Sequence, residues 1–193
     1  MGSLYTYTVH FPLPDDLQER IDPWRKSLKK EMDVFSVPKL KPHVTLMRMT
    51  CDEKDEGALL EALKKIKSDI VKIEGTGLEK VSRSSVAIMI DKNEYLEALH
   101  FNIANILSEY NANPTNHVPM EYQDRFEEYK KYGSPFFGSY YTPHLTIGYT
   151  GGDFPEHIEL PFDVRWEAKE FRVSKKKKSS GKPYRNVEDI DFT

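Results

Sequence analysis

Two short segments of the sequence carry the same polar pattern. One is His43-Val44-Thr45 and the other is His144-Leu145-Thr146, and in each a proline precedes the histidine and an aliphatic residue follows the threonine. Successive side chains of a β-strand point to opposite faces of a sheet, so the histidine and threonine of each segment share one face. Each segment therefore predicts a strand that buries one side and presents an imidazole and a hydroxyl on the other.

Two imidazoles and two hydroxyls that meet in one cleft suit the cleavage of a phosphodiester. The reaction needs a base to activate the attacking oxygen and an acid to protonate the leaving oxygen, and histidine does both near neutral pH. A threonine hydroxyl donates to a non-bridging phosphate oxygen as charge develops there. We therefore predict His43 and His144 as catalytic residues, and Thr45 and Thr146 as phosphate-binding residues, of a phosphodiesterase that needs no metal or other cofactor.

One His-x-Thr triplet alone would be weak evidence, because most strand histidines are surface residues or hydrogen-bonded core residues. The two triplets carry weight because their flanking residues also match. The other four histidines have no such context, so we expect each to be a surface residue or a hydrogen-bonded core residue: His10, His100, His117 and His157.

Hydrophobic periodicity predicts the elements that position the triplets. The sequence predicts strands at 4–9, 41–49, 74–81, 85–90, 142–150, 166–173 and 184–192. It predicts helices from Asp22 onward, at 56–70 and at 95–110, and a short helix at 122–132. Both halves of the chain contain a strand, a helix and a strand with a triplet. We therefore expect a single domain over 1–193 with two similar lobes, and a long insert or lid at 111–140.

Composition fits a soluble globular enzyme. The chain has 193 residues, of which 38% are hydrophobic and 31% charged, and no apolar run approaches the length of a membrane-spanning helix. The single Cys51 excludes an internal disulfide and a cysteine-based zinc site. We expect a cytoplasmic monomer with no membrane partner. Since the net charge is −3, a local patch must attract any anionic substrate.

The two segments, extended to Pro42–Leu46 and Pro143–Tyr149, resemble the motif pair of the two-histidine (2H) phosphoesterase superfamily, which includes 2′-5′ RNA ligase-like proteins and cyclic nucleotide phosphodiesterases. The resemblance spans nearly the whole chain. It implies an α+β, bilobal, pseudo-twofold fold with two antiparallel sheets lining a central cleft and helices outside. It also implies that the histidines act as acid and base, with His144 favoured as the base of hydrolysis and His43 as the acid.

Aromatic residues near the predicted cleft are candidates for stacking on a nucleobase. Tyr141 lies two positions before the second Pro-His pair and is the strongest candidate. Tyr7, on the first strand, either borders the cleft or packs in the core, and the sequence gives the two interpretations equal weight.

Basic residues near the triplets are candidates for phosphate contacts. Lys41 lies two positions before His43, so it shares the face of that histidine on an ideal strand. Arg48 points away from His43 on such a strand, and we expect it in a structural role or at the rim. The Lys175–Lys178 run is interpreted as a solvated hairpin turn in preference to an RNA-backbone contact.

Three functions remain open from the sequence. The first is hydrolysis of a cyclic nucleotide or cyclic oligonucleotide, with a 2′,3′-cyclic phosphate or a cyclic signalling nucleotide as substrate. The second is processing of RNA ends, by opening 2′,3′-cyclic ends or by cleaving or joining 2′-5′ linkages. The third is a nucleotide-binding module without turnover, which is disfavoured because binding alone needs no acid–base pair.

Overall fold

The structure is a computed structural model that describes residues 3–32, 34–36, 41–82, 84–112, 120–134, 136–178 and 183–193. Nine strands and four α-helices are present in these ranges. In chain order they are β1 (Leu4–Pro12), α1 (Asp15–Glu31), β2 (Val34–Ser36), β3 (His43–Asp52), α2 (Glu56–Leu63), β4 (Val71–Lys80), β5 (Ser85–Ile90), α3 (Glu94–Glu109), α4 (Phe126–Tyr132), β6 (His144–Thr150), β7 (Arg165–Ala168), β8 (Glu170–Lys177) and β9 (Arg185–Asp191).

The strands form an antiparallel sheet in the order β7-β4-β5-β6-β3-β1-β8-β9. The short β2 pairs with the C-terminal end of β6. The two strands that carry the triplets, β3 and β6, are neighbours at its centre and meet at the pair Val44–Leu145. On one side of this pair lie β1, β8 and β9, and on the other lie β5, β4 and β7. This is the predicted α+β fold, with two antiparallel halves related by a pseudo-twofold axis.

Alternation along the strands separates the core from the cleft. In β1, Tyr7, Val9 and Phe11 are all 0% exposed and join one hydrophobic core, while Thr8 and His10 point to the opposite face. The helices add their apolar faces to the same core. The polar face of the central strands is thereby left open to solvent as a cleft.

Helix α1 begins earlier than the sequence predicts. It starts at Asp15 and contains Pro23, whereas we expected Asp22 as its cap. A proline inside a helix removes one backbone donor. Here the burial of Leu17 and Ile21, N-terminal to the proline, outweighs that loss, and two acidic residues in the first turn interact favourably with the helix dipole.

Helix α2 ends earlier than the sequence predicts, at Leu63 and not at residue 70. A tight turn follows, in which the amide of Ile66 donates to the carbonyl of Leu63, so that Ile66 still reaches the core at 6% exposure. The amide of Ser68 then donates to the carbonyl of Phe192, which draws the chain towards the end of β9. Ile70 is consequently exposed.

The segment predicted as one strand at 166–173 is two strands. β7 pairs with β4, whereas β8 pairs with β1 and β9. Only Lys169 separates them, although they lie near opposite ends of the strand order. The sheet therefore curls until its two ends approach each other. Hydrophobic alternation continues through such a change of partner, so it did not signal the break.

His100 ties α3 to β3 and to the 111–140 segment. Its ring is fully buried, its Nδ1 donates to the carbonyl of Leu46 at 2.7 Å, and its Nε2 accepts from the amide of Gly138 at 3.0 Å. Burial lowers the pKa of His100 to about 4, so the ring is neutral at pH 7. His100 is the hydrogen-bonded core residue that we expected. His157 is a surface residue beside Glu79, and His117 lies outside the described residues.

We predict that acidification destabilises the protein partly through His100. Because its folded pKa lies below the ordinary value, the unfolded chain binds the proton first, and stability is lost as pH falls from about 6.5 towards 4. The expected contribution is about 2 kcal/mol between pH 7 and pH 5. Urea unfolding of a His100→Gln variant should show a smaller pH dependence than wild type. His157→Gln is the control, and equal slopes for wild type and His100→Gln would contradict the prediction.

Candidate active site

The two triplets lie side by side in the sheet. With Val44 opposite Leu145, an antiparallel register places Thr45 across from His144, and His43 across from Thr146. All four polar side chains line one cleft with a volume of about 550 Å³. The structure therefore brings together the four residues that the sequence singled out, on strands of opposite direction.

A β-bulge interrupts each of these strands at the same distance from its histidine. In β3 the register with β1 skips Leu46, and in β6 the register with β5 skips Ile147. A bulge moves the following side chains to the other face. Arg48 and Tyr149, each five positions after a histidine, consequently line the cleft. Our expectation that Arg48 points away from His43 was wrong, because it assumed an ideal strand; its expected structural or rim role is not tested.

Both catalytic candidates are oriented by their own strands. The Nδ1 of His43 lies 3.0 Å from the carbonyl oxygen of Lys41, and the Nδ1 of His144 lies 2.8 Å from that of Thr142. A carbonyl oxygen only accepts, so each Nδ1 carries the hydrogen and donates it. Each Nε2 is then left with a lone pair that can take up a proton from a substrate or a water.

Burial lowers the pKa of His43 and that of His144, and the nearby Arg48 guanidinium lowers both further. The guanidinium acts in this direction because a second positive charge in the cleft is unfavourable. In the empty cleft both rings are therefore biased towards the neutral form. A bound phosphate anion would act in the opposite direction and favour the imidazolium form.

Positive charge dominates the cleft. None of the described residues that line it is acidic, whereas Lys41, Arg48 and Arg172 line it together with the histidines. Arg172 is held by Asp189 through two hydrogen bonds of 2.6 and 3.0 Å, and Lys41 is exposed, with its ammonium 3.9 Å from Asp15. Arg48 forms no ion pair with any carboxylate in the described ranges. These cations form the local basic patch that the net charge of −3 led us to expect around an anionic substrate.

A third histidine, His10, belongs to the cleft and was missed by sequence reasoning. Its ring centroid lies 4.5 Å from that of His43, and its Nε2 lies 3.0 Å from the Ser174 hydroxyl. Burial, with His43 and Arg172 nearby, lowers the pKa of His10 to about 3. We had interpreted His10 as a surface or hydrogen-bonded core residue. The alternation Thr8-Val9-His10 could have placed it on the cleft face, had the β1–β3 pairing been known.

Tyr7 is not a cleft residue. Its ring is fully buried on the core face of β1, and its hydroxyl donates to Glu56 at 2.8 Å. Glu56 also accepts from the buried Lys175 ammonium at 2.5 Å. The same ammonium lies 3.5 Å from a carboxylate oxygen of Glu53. The prediction that Tyr7 contacts substrate is therefore not supported. The prediction of a solvated turn at Lys175–Lys178 is wrong at 175–177, because these residues belong to β8 and pair with β1; Lys175 is also buried.

Tyr141 borders the cleft but has no free face for a base. Its ring is only 3% exposed and stacks on His100, with centroids 3.9 Å apart and an interplanar angle of 3°. Its hydroxyl donates to the Thr45 carbonyl at 3.2 Å. Tyr141 thus supports β3 from behind the site. Of the described residues of the 111–140 segment that line the cleft, Phe136 has a partly exposed aromatic ring.

The described residues contain no group of three or more His, Cys, Asp or Glu side chains arranged to hold a metal ion. Nor do they include a helix long and apolar enough to cross a membrane.

Comparison with known proteins decides the family. The model of the 2′-5′ RNA ligase superfamily matches residues 13–176. The chain belongs to this superfamily. No curated protein matches the sequence closely enough to be reported. Membership in this superfamily of 2H phosphoesterases supports a phosphoesterase-type function.

Solved structures of the superfamily share the fold over the whole chain. Escherichia coli LigT complexed with 3′-AMP has a TM-score of 0.71 and 16% identity, and the match covers 100% of this chain and 98% of LigT. LigT complexed with ATP has a TM-score of 0.67 and 14% identity, and the match covers 98% of this chain and 99% of LigT. A Thermus thermophilus protein, TT0787, has a TM-score of 0.65 and 13% identity, and the match covers 97% of each chain. At these identities the likeness establishes the 2H phosphoesterase fold and nothing finer.

We predict that Arg48 adds to the effect of burial in keeping both catalytic candidates neutral. Replacing Arg48 by Met removes a positive charge, so the pKa values of His43 and His144 should both rise. NMR titration of the histidine Cε1 protons measures this directly, with interacting rings fitted as a coupled pair. Arg48→Lys keeps the charge and is the matched control. Unchanged titration in Arg48→Met would show that the guanidinium is electrostatically remote.

Proposed function

We propose that this protein is a metal-independent 2H phosphodiesterase that hydrolyses 2′,3′-cyclic phosphates or cyclic oligonucleotide phosphodiesters. The supporting observation is the antiparallel pairing of the triplets, in which each histidine lies across from the threonine of the other and is oriented through Nδ1. The basic, acid-free lining of the cleft suits an anionic ester. LigT has been crystallised with 3′-AMP and with ATP, which share the nucleoside and phosphate groups of the proposed substrates.

The phosphate would lie on the pseudo-twofold axis between the two strands. One non-bridging oxygen accepts from the Thr45 hydroxyl and the other from the Thr146 hydroxyl, while the Arg48 guanidinium neutralises the growing negative charge. Because the two threonines are related by the axis, the phosphorus is held with one histidine on each side. That arrangement suits an in-line displacement.

In the hydrolytic step, the Nε2 of His144 takes a proton from water as the water oxygen bonds to phosphorus. The bond from phosphorus to the leaving ribose oxygen breaks, and the Nε2 of His43 gives that oxygen a proton. The products are a phosphomonoester and a free hydroxyl, and the two histidines have exchanged protonation states. The assignment of base and acid follows the family resemblance, and the reverse step would use the same groups with exchanged roles.

We predict that His43→Ala and His144→Ala each reduce kcat by roughly 10²–10⁴-fold, the usual contribution of a positioned acid or base. His157→Ala is the matched control, because that ring is exposed beside Glu79 and does not line the cleft. Circular dichroism and thermal unfolding should show all three variants folded. Near-normal turnover by either cleft variant would rule out the paired acid–base mechanism.

We also predict that activity on at least one phosphodiester persists in excess EDTA. A panel of 2′,3′-cyclic mononucleotides, cyclic di- and trinucleotides, 2′-5′ oligoadenylate and RNA with a 2′,3′-cyclic end would identify the substrate. Cleavage or joining of 2′-5′ linkages, without opening of any cyclic phosphate, would favour the RNA-end function instead. Complete loss of turnover in EDTA, restored by a divalent metal, would reject the metal-independent mechanism.

A further inference from the structure

A second cavity opens beside the cleft, and we call it the side groove. It has a volume of about 410 Å³ and lies between the strands β1 and β3 and the helix α4. Its floor includes Thr6 and Thr50, which pair directly across the two strands. Its lining residues are Thr6, Arg48, Met49, Thr50, Asn111, Tyr129, Tyr132, Gly133 and Tyr184.

The side groove and the cleft share two residues. Arg48 and Tyr184 line both cavities, so they stand at the junction between them. A ligand bound at His43 and His144 can therefore extend past Arg48 into the side groove along a continuous surface. At the position related to Arg48 by the pseudo-twofold axis the chain has Tyr149, so the two sides of the phosphate position differ in charge.

The lining of the side groove combines features that recognise a nucleotide. No acidic residue is among the described residues that line it, and Arg48 supplies a cation at its inner end. The Lys176 ammonium lies 5.8 Å from the Tyr184 ring centroid, which adds a second positive charge near the junction. Tyr129 and Tyr184 are partly exposed, while Thr6 and Thr50 offer hydroxyls. One side of the Tyr129 ring stacks on Tyr122, with centroids 6.1 Å apart, so a base would pack on its other side.

We propose that the side groove is a binding subsite for a second nucleotide unit, joined through a phosphate to the nucleotide that is cleaved. Its phosphate lies at Arg48, and its base packs against Tyr129 or Tyr184. The subsite rests on the proposed function. It narrows the proposed substrates, 2′,3′-cyclic phosphates and cyclic oligonucleotides, to those with at least two nucleotides. A mononucleoside 2′,3′-cyclic phosphate fills the cleft and leaves the side groove unused.

Binding to the inactive His144→Ala variant tests the subsite independently of turnover. Isothermal titration would compare adenosine 2′,3′-cyclic phosphate with two larger probes: a diadenylate that ends in a 2′,3′-cyclic phosphate, and cyclic diadenylate. We expect at least one larger probe to bind about tenfold or more tightly than the mononucleotide, consistent with one stacked base. The probe that does so distinguishes a linear RNA end from a cyclic oligonucleotide.

Two substitutions in the same His144→Ala background then locate the contact. Tyr129→Leu on α4, and Tyr184→Leu before β9, should each lower the affinity ratio of the larger probe to the mononucleotide, and the stronger of the two effects should be about tenfold. Tyr95→Leu is the control, since Tyr95 is 45% exposed on α3 and lines neither cavity. Thermal unfolding checks that each variant is folded.

Equal affinity for all three probes, or equal losses for large and small probes in both tyrosine variants, would overturn the subsite. Failure of the proposed function looks different. In that case wild-type protein would hydrolyse none of the three compounds, while the affinity ratios and their response to the tyrosine substitutions would stand as predicted.

Discussion

The short antiparallel contact between β3 and β6 determines where every group of the site lies. Val44 and Leu145 are both 0% exposed, and their burial fixes which residues on either side face the cleft. Side chains alternate with a period of two, so a slip of either strand by one residue would turn its histidine into the core and its aliphatic residue into the cleft. Burial of these aliphatic residues, each contributing about 1.5–3 kcal/mol, opposes that slip. The core residues of the triplets thus specify the register on which the polar residues depend.

The same packing imposes an electrostatic cost on the site. Three imidazoles and the Arg48 guanidinium share a partly buried cleft with no acidic lining among the described residues. Burial lowers the pKa of His10, His43 and His144 and favours their neutral forms, so that Arg48 carries the charge. An anionic ester removes this imbalance when it binds and makes protonation of one histidine favourable. The charge of the cleft is therefore complementary to a bound anion.

Local sequence was sufficient for the parts of the site that depend on strand alternation. Both triplets lie on strands, and the residues between histidine and threonine are buried, as predicted. Features that depend on distant partners could not be derived in this way. The bulge that turns Arg48 into the cleft is visible only in the β1–β3 register, and the change of partner between β7 and β8 leaves the periodicity intact. Tyr141 is likewise an aromatic residue close to the second triplet, but its ring is already stacked on His100.

His100 connects the 111–140 segment to this central register. Gly138 adopts a left-handed φ of +69°, and a Cβ there would lie 2.6 Å from the Tyr132 ring, so both the backbone and the packing require glycine. Its amide donates to His100, which in turn donates to the carbonyl of Leu46, the bulged residue of β3. One neutral imidazole therefore joins the bulge that positions Arg48 to the segment that carries α4 and one wall of the side groove. Arg48 lines both cavities, so the hydrogen bonds from Gly138 to His100 and from His100 to Leu46 connect one wall of the side groove with the bulge that turns Arg48 into the cleft.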